Sequence, residues 1–571
     1  MLRRLLLGVA ACACLSQISA YPLPPDSTAR NGVRQTKTSH LGTIVQPKVP
    51  SPDALLDVGP HPHAALGLKR TYSGTPIDVL NYHNDNYPTG WNPSETDLTP
   101  TSVASTSFGQ ITTLNVDGNV MAQPLMVSNF TMPDSSVHNV LIVATGHNTV
   151  YAYDAQTYAI LWQRNLGPSQ PSNDVGCGDI QPEYGISSTP VILRAGANQA
   201  TLYLIAATEP ASLSFHTKLY ALDLGTGNDL RKAVEIAPKG KLQTGGQIHF
   251  DPQNQWNRAA LAYANGNIYV GVGSHCDNNA GDISGWVLSY DAATLRHNGA
   301  FNTIKAQAGY ELSSIWMSGY APAIDPSGNV FAITGNGYFS NAKGQKGYGE
   351  SVLSLQPNLK HATSAFTPSE FQELNNGDTD FGSGGFMLIP LADGQTAPPM
   401  GVGAGKAGDL YLLNAANLGG LERKNHGPLQ KISTGAGCWC GPAYYQGPNG
   451  GVVFYQGSGD NIRAYSVATG ATPHLTQTVV GDSDGGGFGG SFPVVSTNGS
   501  TAHTGVVWLI RRGSPTEQLE AYNAETLGTP LFRQNAGNWS NGSRAYLSPL
   551  VANGRVYVGA YQIVTVFGLT D

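Results

Sequence analysis

Charge is scarce in this 571-residue chain: Asp, Glu, Lys and Arg make up only 12% of it, with 31 bases against 38 acids and a net charge of −7. No basic face is available for a phosphate backbone, which argues against a nucleic-acid partner. So few charges, with 70 glycines and 36 prolines, exclude a coiled coil or a helical bundle. His-Glu-x-x-His does not occur, so the common zinc-hydrolase signature is missing. Cys-x-x-Cys-His is also missing, which rules out a covalently attached haem of that type. Glycine-rich runs such as Gly335-Asn336-Gly337 read as corner turns and not as phosphate loops, because no helix follows them. Beyond the N-terminus no run of 18 apolar residues occurs, so no membrane span is expected.

What is present is a 40% hydrophobic content with 26 tyrosines and 8 tryptophans spread along the chain, enough for a large core. The first twenty residues, MLRRLLLGVAACACLSQISA, have a basic start, a short apolar stretch and small residues before Ala20. That is the form of a secretory signal peptide (1–20). Val9-Ala10-Ala11-Cys12 also reads as a lipobox, which would place a lipid anchor on Cys12. The expected location is therefore secreted or periplasmic. Residues 21–78 are rich in Pro, Ser and Thr and read as a flexible lead-in. Cys177, Cys276, Cys438 and Cys440 follow the signal, and an oxidising compartment allows them to pair.

One element recurs. An apolar strand ends in an aromatic and then Asp or Asn opens a tight turn, as in VYAYDAQTYAILW (150–162), LYALDLGTGNDL (219–230), VLSYDAATL (287–295), LYLLNAANLGG (410–420) and LEAYNAETLG (519–528). Before it comes a buried run opening onto a Gly-rich corner. Before that lies a short strand with a proline at its start, at Pro124, Pro190, Pro322, Pro442, Pro493 and Pro549. Proline lacks the ladder donor and suits the first residue of an edge strand. The repeat of about 50–70 residues fits a four-stranded propeller blade.

Eight units are predicted, at 119–167, 184–237, 256–307, 316–367, 381–434, 438–480, 486–535 and 543–571, each with strands A to D from axis to rim. The last has room for three strands, and the spare strand from Phe108 is expected to supply its fourth and close the ring. The expected class is thus all-β, an eight-bladed propeller of antiparallel blades spanning 79–571.

The repeat VYAYDAQTYAILW, with Trp162 eight residues after Asp154, resembles that of the quinoprotein alcohol dehydrogenase-like propellers, as does the ending VANGRVYVGAYQIVTVFG. The resemblance covers residues 80–571. It implies that Trp162 docks one blade on the next, and that a ligand site lies on the axis, on the face formed by the loops entering A and the B–C corners. That superfamily includes enzymes using pyrroloquinoline quinone and non-catalytic envelope propellers.

On that face fall Glu183, Trp256, Asn257, Arg258, Trp316, Asp378, Asp380 and Trp439 from entry loops. His147, Glu209, His275, Asp277, Asn336, Lys406, Asp460, Arg511 and Arg512 come from B–C corners. Trp256, Trp316 and Trp439 would stack on a planar cofactor such as pyrroloquinoline quinone, while Lys406, Arg258 or Arg511 pair its carboxylates. Glu183, Asn257 and Asp380 would hold Ca²⁺, a hard ion that takes oxygen ligands. Asp380 would serve as the base toward an alcohol or sugar, with Glu183 beside it. The alternative is a non-catalytic propeller whose loops bind an envelope protein or glycan. Cys177 and Cys276 lie on loops of the same face in adjacent units and are expected to pair; His275, Cys276, Asp277 and His249 as a metal site is the competing reading. The enzymes' adjacent cysteine pair is missing, and Cys438 and Cys440 are read either as free or structural thiols or as a strained, reducible pair.

Overall fold

The computed structural model describes residues 72–570, apart from 243–244, 279–282, 305–311, 341–345, 392–397, 423–426, 483–487, 514 and 540–545. The signal peptide, Cys12 and the lead-in up to residue 71 lie outside the described residues.

Eight antiparallel sheets follow one another along the chain as blades of a propeller. They occupy 125–165, 191–235, 262–302, 323–367, 386–433, 443–480, 494–538 and 550–569, numbered here as blades 1 to 8. Strand Phe108–Asn119 pairs antiparallel with the last strand, Tyr561–Leu569, and is the outermost strand of blade 8. The inner strands are short apolar runs buried on both faces, as in the fully buried run Thr149–Asp154, while outer strands such as Asp229–Glu235 are exposed.

The recurrent Asp or Asn has a local cause. Asp154 accepts the backbone N–H groups of Gln156 and Thr157 at 2.6 and 2.9 Å. Asp291 does so from Thr294 at 2.8 Å, Asn414 from Ala416 at 3.0 Å and Asn523 from Glu525 at 2.8 Å. Each is an Asx turn joining strands C and D.

Aromatic donors then reach the same turn of the next blade. Trp162 Nε1 donates to Leu224 O at 2.8 Å, Tyr203 Oη to Ala292 O at 2.9 Å and Tyr269 Oη to Pro357 O at 2.9 Å. Gly227, at φ +70°, lies where a Cβ would press on the Trp162 ring. At these three interfaces an aromatic donor of one blade, from its outermost or its second strand, reaches the turn of the following blade.

The inner edges do not face an open channel. The segment from Ile77 to Asn92 bonds to the innermost strand of every blade. Val79 pairs with Met126 of blade 1, and Leu80 O accepts from Ile192 of blade 2 at 2.7 Å. Asn86 Nδ2 donates to Tyr263 O of blade 3, and Asn86 O accepts from Ile324 of blade 4 at 2.7 Å. Tyr87 and Thr89 accept from Leu388 and Tyr444 of blades 5 and 6 at 3.1 and 2.8 Å. Gly90 accepts from Val495 of blade 7 at 2.8 Å, and Asn92 Nδ2 donates to Val551 O of blade 8 at 2.9 Å. Open edges of eight strands are thereby satisfied by one stretch of chain.

Candidate axial site

Entry loops and B–C corners meet on one face of the ring. Beneath them Arg258, 1% exposed, donates through Nη1 to Ser187 O and through Nη2 to Tyr546 O, both at 2.9 Å. It therefore pins the entries of blades 2, 3 and 8 together. Tyr320 Oη lies 2.7 Å from the carbonyls of both Pro88 and Pro442. With the stacked pair Tyr82 and His83, these buried side chains form the floor above the axial segment.

Above the floor, Lys406 organises the wall formed by blades 4 to 6. Its Nζ bridges Asp378 at 2.8 Å and Asp380, and lies 5.6 Å from the centre of the Trp439 ring. The backbone fixes this arrangement, since Lys406 N donates to Asp380 O at 3.1 Å and Cys438 N to Gly405 O at 3.0 Å. Burial would lower the Lys406 ammonium, but the carboxylates of Asp380 and Asp378 hold it above its usual range. Asp380 is raised by burial despite Lys406. Behind it stands Glu350, fully buried, accepting the N–H of Phe381 at 2.6 Å. Burial, then the nearby Asp380 charge, push Glu350 up to about 9, so it carries a proton at neutral pH.

The other wall is aromatic. Trp316 lies 6.1 Å from both Trp256 and Tyr546, ring centre to ring centre. Arg512 covers Tyr546 at 4.7 Å, and Trp439 meets Phe488 at 4.5 Å. Trp256 is a buried wall member, bonded through Nε1 to Ser187 Oγ and stacked on His275 at 5.3 Å.

Of the residues singled out from sequence, Asp380, Lys406 and Trp439 share direct contacts, and Trp256 and Trp316 share another. Glu183 pairs with His147 at 2.9 Å and accepts from Ser169 Oγ. Its hydrogen bond raises the His147 imidazole above the ordinary value, with burial opposing. Asn257 gives its amide N–H groups to Ala259 O and Gly271 O at 3.1 and 2.7 Å, leaving a buried Oδ1 without a partner. Arg511 turns to Gln518 at 3.0 Å, whereas its neighbour Arg512 reaches the Tyr546 ring. Adjacent residues on a strand point to opposite faces.

Cys177 and Cys276 form a disulfide with Cα atoms 5.6 Å apart, so Cys276 offers no thiolate to a metal. Cys438 and Cys440 are bonded to each other across Trp439, with Cα atoms 4.8 Å apart.

A planar, multiply anionic cofactor with a hard cation is matched by this set. Two partly buried indoles and two cations line the wall, and Asn257 Oδ1 is an orphaned oxygen of the kind a cation would take. Glu350, Arg512 and Tyr546 are the members that sequence reasoning passed over or ranked low. A lone acid just after two glycines and directly ahead of a buried strand, in GYGESVLS, is the signal that points to Glu350.

Known structures share the architecture. The quinohemoprotein alcohol dehydrogenase of Comamonas testosteroni aligns with a TM-score of 0.56 and 15% identity over 86% of this chain and 80% of that one. The chain has the fold of the quinohemoprotein alcohol dehydrogenase propellers. The related alcohol dehydrogenase ADHIIG of Pseudomonas putida HK5 gives 0.56 and 14% over the same shares of the two chains. A europium-containing methanol dehydrogenase gives 0.55 and 14% over 87% of this chain and 98% of its own. No family profile matches the sequence, and no curated protein does. At such identities the likeness to the quinohemoprotein propellers speaks for fold.

Proposed function

We propose that the chain is an exported quinoprotein-dehydrogenase-like propeller that binds pyrroloquinoline quinone and Ca²⁺ at the axial site and oxidises an alcohol or a sugar. The observation that carries this reading is Lys406 held between Asp378 and Asp380 against the Trp439 ring. Trp439 and Trp316 would flank the cofactor plane, and Lys406 and Arg512 would pair its carboxylates. Arg512 replaces Arg511 in this role because it is the one directed at the Tyr546 wall. Asp380, Asn257 Oδ1 and Glu183 would supply oxygen to the cation. The bound quinone would supply the two-electron acceptor.

The remaining work falls to side chains of this chain. Asp380 would take the hydroxyl proton of the substrate, with Lys406 stabilising its carboxylate beforehand. Glu183 would act from the blade 2 entry, its charge balanced by His147. Arg258 and Trp256 serve from below and behind, being buried in contacts of their own. Two disulfides and the signal-like N-terminus support an oxidising, extracytoplasmic location. No described helix is long and apolar enough to cross a membrane.

The rival reading is a non-catalytic envelope propeller that binds a protein or glycan. It is favoured by Glu183, whose carboxylate is already engaged by His147 and Ser169. Titration of purified protein with pyrroloquinoline quinone and Ca²⁺, following quinone absorbance and dye-linked alcohol oxidation, separates the two. Saturable binding is expected, weakened in Lys406→Ala by at least about 2 kcal/mol, the scale of a desolvated charged contact. An absence of saturable binding overturns the enzyme reading.

A further inference from the structure

Phe488 is a large apolar side chain left 47% exposed, and it stands on the site face against the ring of Trp439. The two rings are 4.5 Å apart at 40°, so they form a corner and not a buried stack. Trp439 is presented rigidly. Both flanking residues, Cys438 and Cys440, are fully buried and bonded to each other, and Trp439 N donates to Gly489 O at 3.0 Å. Next to this corner the Asp378 side chain is 75% exposed, with Oδ1 held by Lys406 Nζ at 2.8 Å and Asn336 Nδ2 at 2.9 Å.

An aromatic corner in water costs free energy unless an apolar face covers it. An oriented carboxylate, an ammonium and an amide beside it ask for a ligand with several hydroxyl groups. A sugar ring has both parts, an apolar C–H face and a rim of hydroxyls that a fixed carboxylate can receive as donors. Charge narrows the class further. Asp277, Asp378 and Asp380 stand here with Lys406 and with Arg512, whose Nη1 donates to Phe488 O at 3.3 Å, so no excess of positive charge at this corner selects an anionic saccharide. The chain beneath closes the other route, because the axial segment is bonded to all eight inner strands and Tyr320 seals the floor. Among the described residues, Trp439 and Phe488 stand together on the loop-bearing face away from that floor.

We propose that this mouth binds a neutral saccharide, stacked on Trp439 and Phe488 and hydrogen-bonded by Asp378 and Asn336, and that sugars rather than simple alcohols are the substrate class. This rests on the dehydrogenase reading of the axial site for the word substrate, but the binding itself does not.

The test is calorimetric and tryptophan-fluorescence titration of the full mature chain, without quinone, using cellobiose, maltose and methyl glucoside, with polygalacturonate as the anionic control. Saturable binding of at least one neutral sugar is expected. Phe488→Ala, at an exposed position that leaves the core intact, should weaken it tenfold or more; Trp439→Ala should do the same and Asp378→Asn several-fold. No saturable binding of any neutral sugar, tighter binding of the anionic polymer, or unchanged affinity in Phe488→Ala overturns the proposal. Quinone binding is followed separately by its own absorbance. Sugar binding without quinone binding removes the dehydrogenase reading alone, and quinone binding without sugar binding removes this proposal alone.

Discussion

The hydroxyl of Tyr320, at the entrance to blade 4, lies 2.7 Å from the carbonyl of Pro88, 232 residues earlier in the chain. The same hydroxyl is 2.7 Å from Pro442 O at the entrance to blade 6. One donor thus joins the axial segment to two blades that are not neighbours. Tyr320→Phe removes it, leaving Pro442 O without this donor and Pro88 O with the longer 3.4 Å contact to His83 Nδ1. A loss of about 1–3 kcal/mol in denaturant unfolding is expected. A change below about 0.5 kcal/mol would mean that the segment is held by its backbone bonds alone.

Lys406 is expected to matter for stability as well as for binding. Lys406→Ala strands the buried Asp380 carboxylate, and the loss of one partner of such a pair costs about 3 kcal/mol. Adding Asp380→Asn should recover most of that loss, because the uncompensated charge is then gone. Urea unfolding of the two single variants and the double variant measures the coupling. Additive losses would show that the two side chains do not act as a pair.

The Cys177–Cys276 bond closes a loop with a sequence separation of 99. A loop of that length corresponds to about 4.7 kcal/mol of unfolded-chain entropy in the simple model. Cys177→Ala with Cys276→Ala should therefore lower stability by a few kcal/mol, read as a fall in the denaturation midpoint. The Cys438–Cys440 bond closes a very short loop, so its removal should cost less overall and act mainly on saccharide affinity through Trp439.

Stability should fall in acid for a reason that lies in two histidines. His83 and His275 are buried, and burial lowers both to about 3, from the ordinary 6.5. The unfolded chain binds these protons first, so the fold is favoured above pH 6.5 and loses stability as pH falls from 6.5 toward 3. Each group contributes a slope of about 1.4 kcal/mol per pH unit in that window. His83→Gln should flatten the pH dependence of unfolding between pH 6 and 4, and an unchanged slope would assign the acid lability elsewhere.

Several of these features were visible in the sequence because they are local. Asp154, Asp291, Asn414 and Asn523 each close a turn within three residues, so the blade repeat appears as a pattern in the chain. The docking of Trp162 on the next blade was implied by the family resemblance, and the structure places its partner at Leu224 O. The segment from Ile77 to Asn92 has no repeat and contacts partners up to 476 residues away; its function as the axial filling is absent from any window of sequence. The arginines at 511 and 512 show the limit well. Strand periodicity says that they point apart, but only packing against blade 8 says that Arg512 is the one at Tyr546. The sequence marks Glu350 as an acid ahead of a buried strand, but its burial comes from the blade 5 entrance, where Phe381 N donates to it.

The sequence by itself determined the eight blades, their turns and the face on which polar and aromatic loops gather, since these follow from recurring apolar runs and short-range hydrogen bonds. Only the tertiary structure decided which side chains share a contact. Lys406 between two aspartates, Trp439 held by its flanking cysteines beside Phe488, and a sealed axis arise where loops from distant repeats converge. Such contacts depend on ring geometry, which no single repeat encodes.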